Sequence, residues 1–208
     1  MNKTIILVSG KMRSGKNTFV DFMMKDLTDN GVKCGYDYFA KDLKNYAKED
    51  FSSIVSYLNH MALSYDIPEL MTREENWYEN KNSVTRILLQ TYGTEIIRKR
   101  VSEKYWVEKV LERIKKSDNE VIFISDVRFP SEVNDIIELR YTEGYNVITC
   151  RVDRKKAVGE GVQHGTTEHP SETALDDYSE WIWRIDNDGT LDDLNETAKM
   201  FSSSIRNQ

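Results

Sequence analysis

A nine-residue stretch, GKMRSGKNT from Gly10 to Thr18, constrains this chain more than any other. The short β-branched run TIILV at 4–8 precedes it and reads as a buried strand; FVDFMMKDL at 19–27 follows with apolar residues at helical spacing. Strand, glycine turn and helix in that order make a phosphate-binding loop. Gly10 and Gly15 let the backbone aim several N–H groups inward, the helix N-terminus adds the positive end of its dipole, and Lys16 can reach the β- and γ-phosphates of a nucleotide. The plainer reading of the same residues is a glycine turn that caps an ordinary helix. Asn17 stands where a Ser or Thr usually contacts Mg2+, and the hydroxyl comes one place later, at Thr18.

The loop needs a domain around it, and 208 residues suffice for one well-buried α/β domain with insertions. A net charge of −6 argues against non-specific nucleic-acid binding, so any phosphate is held locally. Cys34 and Cys150 lie in apolar runs outside any C-x-x-C pair, which fits reduced thiols better than a disulfide or zinc site. No apolar run approaches the length of a membrane span and no signal-peptide pattern precedes the first strand, so the expectation is a soluble, cytoplasmic protein without a membrane partner.

Strand and helix patterns alternate along the rest of the chain. Strands are expected at 32–39, 120–125, 145–152 and 180–185, and helices at 42–59, 83–100, 103–116 and 130–142. Thr190 and Asp193 form a capping box opening a last helix to about 205. Gly93 breaks the pattern of 83–100, which suggests a cap or a close approach, with Thr94 starting a new helix. The polar segment 60–82 reads as an irregular insertion. Together these predict a mainly parallel, five-stranded sheet covered on both faces.

Two further places can carry chemistry. Asp126 follows the third strand, where a parallel sheet presents ligands; it can hold Mg2+ or its waters, or simply cap a turn. Arg128 can bind a second phosphate as a fork or form a surface ion pair. Val127 after Asp126 removes the acidic pair that positions water in many ATP hydrolases, which favours transfer over hydrolysis. The glycine-rich, basic stretch 153–172 can act as a lid that brings Arg154 to the phosphates, or be a solvated loop. The three histidines are too scattered for a metal cluster, and Trp106 reads as packing.

The loop, LQTYGTEIIRKR with Trp106 after it, ISDVRFPSEV, HPSETALDD and IDNDGTLDDL occur in an order that resembles bacteriophage deoxynucleoside monophosphate kinases, from the first strand to the last helix. A more distant likeness, in the loop and the NDGTL stretch, is to dephospho-coenzyme A kinases. The resemblance implies a P-loop kinase fold and transfer of the γ-phosphoryl group of ATP, with Mg2+, to a deoxynucleoside monophosphate. Carried over by motif, Gly10, Lys11, Met12, Arg13, Ser14, Gly15, Lys16, Asn17 and Thr18 bind ATP, and Asn187 lies near adenine. Phe39, Asp42, Lys44, Gln90, Thr94, Glu95, Arg98 and Trp106 border the acceptor, with Arg98 on its phosphate. Lys16, Arg13, Asp126, Arg128 and Arg154 serve the reacting centre, Asn17, Thr18 and Asp126 the metal, and Glu172 the substrate or lid. Other small-molecule P-loop kinases and a non-catalytic nucleotide-binding protein are the competing readings. Relatives of this kind make a homodimer conceivable.

Overall fold

A computed structural model describes residues 3–66, 78, 83–155 and 169–207. Its centre is β1 (Thr4–Ser9), buried at every position because it pairs in parallel with β3 (Val121–Ile124) on one side and β4 (Asn146–Asp153) on the other. β2 (Cys34–Asp37) and β5 (Trp183–Asp186) complete the order β2-β3-β1-β4-β5, every neighbouring pair parallel. Ile5 stands opposite both Ile122 and Val147. A strand so enclosed has no wet face, which is why TIILV lacks polar alternation.

The two faces of β1 serve different layers. Ile5 and Leu7 face Val107, Val110 and Ile114 of α4 (Tyr105–Lys116) and Val133 and Ile136 of α5 (Pro130–Ile137). Ile6 and Val8 face Phe19, Val20 and Met23 of α1 (Lys16–Asp29) and Leu194 and Ala198 of α8 (Leu191–Arg206). A satellite cluster joins Ala47 and Val55 of α2 (Ala40–Tyr65) to Leu88 and Leu89 of α3 (Ser83–Gln90) and to Tyr92. Leu43 and Tyr46 of α2 also pack against the core below the sheet, and Arg86 of α3 reaches Met12 across from the loop.

Several boundaries differ from the sequence pattern for physical reasons. α2 runs on to Tyr65 and ends at Asp66 in the left-handed region, so residues 60–65 are helical; most of the remaining insertion lies outside the described residues. The backbone does not stop at Gly93. From Thr91–Val101 it widens into a π-helix continuous with α3, and Thr94 starts nothing. β5 begins later than expected because the Thr149 hydroxyl, and not a strand ladder, bonds the Glu180 carbonyl (3.2 Å) and the Ile182 amide (3.0 Å). The helical pattern of 130–142 divides into α5 and the short α6 (Leu139–Thr142). A further turn, α7 (Pro170–Thr173), lies within the stretch read as a lid. The capping box of α8 forms as expected: Thr190 Oγ1 accepts from the Asp193 amide, and Asp193 Oδ2 accepts from the Thr190 amide. Cys34 and Cys150 are both free thiols. Among the described residues no helix is long and apolar enough to cross a membrane.

Phe123 is fully buried between the sheet and the α1–α8 layer. Phe123→Ala is expected to lower unfolding free energy by about 3–5 kcal/mol in urea titration; a loss below about 1 kcal/mol would mean that this face is not core.

Candidate active site

A parallel sheet delivers all its carboxyl ends to one side, and there the chain gathers its polar residues. β1 ends at Ser9, and the loop that follows is shaped by two glycines. A side chain on Gly10 would lie 2.5 Å from the Val152 carbonyl of β4 and collide with Ser14; Gly15 has φ +92 and the Asn187 amide group in the space of a Cβ. Arg13, at φ 62, turns the loop between them. Asn187 is buried, and its Nδ2 donates to the Ser14 carbonyl at 2.8 Å. It therefore holds the loop from beneath. Among the described residues no side chain caps the start of α1, and the first amides of a helix suit an anion.

Lys16 lies at the centre of the cluster, its Nζ 3.4 Å from the Lys11 carbonyl. Burial lowers its pKa, as does the nearby Arg128 guanidinium, while Glu172 and Asp126 pull the other way. Arg128, on the turn between β3 and α5, donates to the Ser171 carbonyl at 3.1 Å and pairs with Glu172 of α7. Lys11 reaches the Glu172 carbonyl (2.9 Å) and the Asp176 carboxylate (2.5 Å). Met12 Sδ receives Arg86 of α3 at 3.5 Å, so the loop tip touches the opposite wall.

Asp126 does cap a helix, but neither its own turn nor α5. Its two oxygens accept the Phe39 and Ala40 amides, each at 2.8 Å, and thereby fasten the start of α2 to the end of β3. Burial pushes its carboxyl up, against these two hydrogen bonds. Close by, the Ser125 hydroxyl donates to Asn17 Oδ1 at 3.3 Å and meets the Tyr36 hydroxyl at 2.5 Å. Asn17, Thr18, Ser125 and Asp126 thus supply only hard oxygen donors around the start of α1, a set suited to Mg2+. Among the described residues no group of three His, Cys, Asp or Glu side chains could hold a metal alone. A metal there needs substrate oxygens to complete its shell.

The residues expected around the acceptor divide into two kinds. Gln90 Nε2 lies 3.5 Å from Ser171 Oγ, Thr94 is buried on the same wall, and Glu95 pairs with Lys99 and stands 4.0 Å from His169. Gln90 and Arg128 thus both approach Ser171, from different elements. The others are engaged in structure. Phe39 is core, Asp42 pairs with Arg113, and Lys44 lies over the Tyr38 ring at 5.4 Å. Trp106 is buried with its Nε1 donating to the Gly93 carbonyl at 3.0 Å, while Gly93 lacks a side chain because Leu43 occupies the space.

Arg98 differs most from the expectation. Its side chain is 7% exposed, pairs with Glu132 at 3% exposure, donates to the Glu103 carbonyl at 3.1 Å and stacks on Phe129 at 4.1 Å. It is spent inside the protein and not offered to a phosphate. Burial pushes the Glu132 carboxyl up to about 7, while Arg98 and the amides of Arg128 and Phe129 draw it down. Arg154 is exposed at the end of β4, and residues 156–168 of the lid stretch lie outside the described residues.

Glu132, Arg151 and Asp176 were not evident as site residues in the sequence. Arg151 is buried in β4, donates to Ser9 Oγ at 3.1 Å and to Asp153 at 3.0 Å, and so supports the end of β1. Only the third-residue position of Glu132 after Pro130 hinted at a capping role.

The sequence model of the family described as deoxynucleotide monophosphate kinase matches residues 36–198. That match begins after the phosphate loop, so loop and family are separate observations. No curated protein sequence matches the chain. Similar solved structures include the Mycobacterium tuberculosis APS kinase CysC Cys556Ala mutant, at 9% identity over 99% of this chain and 99% of that one, TM-score 0.47. TT1252 from Thermus thermophilus has 14% identity over 98% of each chain, TM-score 0.42. APE1195 has 12% identity over 98% of this chain and 97% of that one, TM-score 0.44.

Arg98→Met strands the Glu132 carboxylate without its cation, and should cost about 3–5 kcal/mol in chemical denaturation. Adding Glu132→Gln should recover much of that loss; a single variant as stable as wild type would show that the pair is not buried in solution.

Proposed function

Because the chain belongs to the deoxynucleotide monophosphate kinase family, we propose that it transfers the γ-phosphoryl group of ATP to a deoxynucleoside 5′-monophosphate, giving the diphosphate and ADP. The observation that carries this reading is the meeting, at one end of the sheet, of an uncapped loop-helix start, Lys16 and the fork of Arg128. One group of cations suits a triphosphate and the other a monophosphate that must lie in line with it.

The loop amides and Lys16 would hold the β- and γ-phosphates, with Arg13 at the loop apex. Asn187 keeps the Ser14 carbonyl turned away, so the amides face the ligand. Arg128 would take the acceptor phosphate, which reaches it by replacing the Glu172 carboxylate. The nucleoside would sit beside Gln90 and Thr94, with Glu95 and His169 near it. Arg154 stands at the root of the lid stretch, from which a closing lid would carry it toward the phosphates. Mg2+ bound with ATP would neutralise charge on the transferring group, held through Asn17, Thr18 and Asp126 or their waters. The acceptor oxygen is already anionic, so no side chain needs to act as a strong base; positioning and charge stabilisation suffice.

The reading is tested by mixing the protein with ATP, Mg2+ and each deoxy- or ribonucleoside monophosphate in turn, with dephospho-coenzyme A included, and following ADP release. Turnover with deoxynucleotides supports it. Turnover with dephospho-coenzyme A alone would assign a different small-molecule kinase, and ATP binding with no turnover on any acceptor would leave a nucleotide-binding protein. Lys16→Ala should lower kcat roughly 10²–10³-fold with an unchanged circular dichroism spectrum. Arg128→Ala should raise KM for the monophosphate about 10-fold or more while KM for ATP stays within about two-fold, the loss expected for a charge-assisted hydrogen bond. Equal effects on both substrates would place Arg128 elsewhere in the reaction.

A further inference from the structure

The Arg98–Glu132 pair is too deeply buried to touch a nucleotide, yet both of its ends lead to the cleft. Glu132 is the third residue of α5, and its two oxygens do different things. Oε1 receives the Arg98 guanidinium; Oε2 receives the backbone amides of Arg128 at 2.7 Å and Phe129 at 3.1 Å. The turn held in this way is the one that presents Arg128 to Ser171, Glu172 and Lys16. At the other end, Arg98 belongs to the π-helical stretch Thr91–Val101, which carries Thr94 and continues directly from Gln90. Phe129 and Glu132, from one turn, grip the guanidinium by its face and its edge.

We infer that Glu132 is a positioning residue for phosphoryl transfer: it sets the backbone of Arg128 and, through Arg98, holds that guanidinium at a fixed distance from the helical wall of Gln90 and Thr94. This rests on the kinase reading above. The pair is buried behind the turn and away from any bound nucleotide, so its effect on a phosphate is one of geometry. Geometry is what the reaction depends on, since a misplacement of about 1 Å can cost on the order of 100-fold in rate. A surface arginine such as Arg128 has many rotamers, and fixing its backbone leaves fewer of them to be lost when an acceptor binds.

Glu132→Gln is nearly isosteric but offers one acceptor oxygen where Glu132 uses two. It can serve the two amides or Arg98, and its NH2 group then opposes the donor left over. The expected result is a roughly 10–100-fold fall in kcat/KM for the deoxynucleoside monophosphate, with KM for ATP within about two-fold. In the Arg128→Ala background the same substitution should add less than about two-fold, because the group it positions is gone. The double variant Arg98→Met, Glu132→Gln leaves no unpaired buried charge; it should fold and still show the raised acceptor KM, since wall and turn are no longer tied. Wild-type acceptor kinetics in the folded double variant, or full additivity between Glu132→Gln and Arg128→Ala, would overturn the inference. Wild-type protein silent with every acceptor would instead overturn the kinase reading, and this inference with it.

Discussion

β1 is hydrogen-bonded along both edges and packed on both faces, and the placement of the site follows from that enclosure. A strand held on four sides has no freedom at its end. Ser9 is pinned there by the Val127 carbonyl and the Arg151 guanidinium, each at 3.1 Å. Gly10 then passes so near the Val152 carbonyl that only a residue without a side chain fits. The loop inherits its position from the core, and α1, packed against α8, fixes the direction of the helix dipole. A rigid cradle of amides costs nothing to organise when a phosphate arrives.

Charge around that cradle is balanced locally although the chain as a whole is acidic. Lys11, Lys16, Arg128 and Arg151 converge on the loop, and Glu172, Asp176, Asp126 and Asp153 answer them. Glu172, in α7, and Asp176, just after it, pair with the basic groups Arg128 and Lys11. In the function proposed above, a polyanion would replace these carboxylates, so the cations would not be left bare in a half-dry cleft. Burial lowers the proton affinity of Lys16, the same desolvation that would strengthen its attraction to an anion.

The two walls of the cleft come from parts of the chain with little else in common. One is the set of turns after β1 and β3; the other is the α2–α3 pair, which packs on its own small apolar cluster. Charged fastenings join them, Asp126 on the amides at the start of α2 and Arg98, from the stretch that continues α3, on Glu132, while Arg113 of α4 ties α2 to the end of β2 through Asp42 and Asp37. All are charged, and all are wholly or partly buried. Such contacts are strict about distance and direction where apolar packing would tolerate sliding. The widened π-helical turns at Thr91–Val101 let Gly93 meet Leu43 and Trp106 on one side while Arg98 reaches Glu132.

Local patterns were readable in the chain because their causes are local. The run TIILV, the glycine spacing of GKMRSGKNT, the Thr190–Asp193 capping box and the periodic apolar residues of α4 each act over a few residues, and the structure contains them. The five-stranded parallel sheet followed from their alternation. Which arginine stays at the surface and which is consumed in the core did not follow. Arg98 and Arg128 look alike as residues in a motif; one is buried against Glu132, 34 positions away, and the other faces Glu172 across 44. Asp126 and Asn187 were visible as polar residues at strand ends, but their partners, the amides at 39 and 40 and the Ser14 carbonyl, come from distant elements. Strand, helix and loop were determined by sequence alone because propensity and periodicity are properties of short segments. The roles of the charged residues were decided only by the tertiary structure, because desolvation and pairing depend on what the rest of the chain brings within a few ångströms.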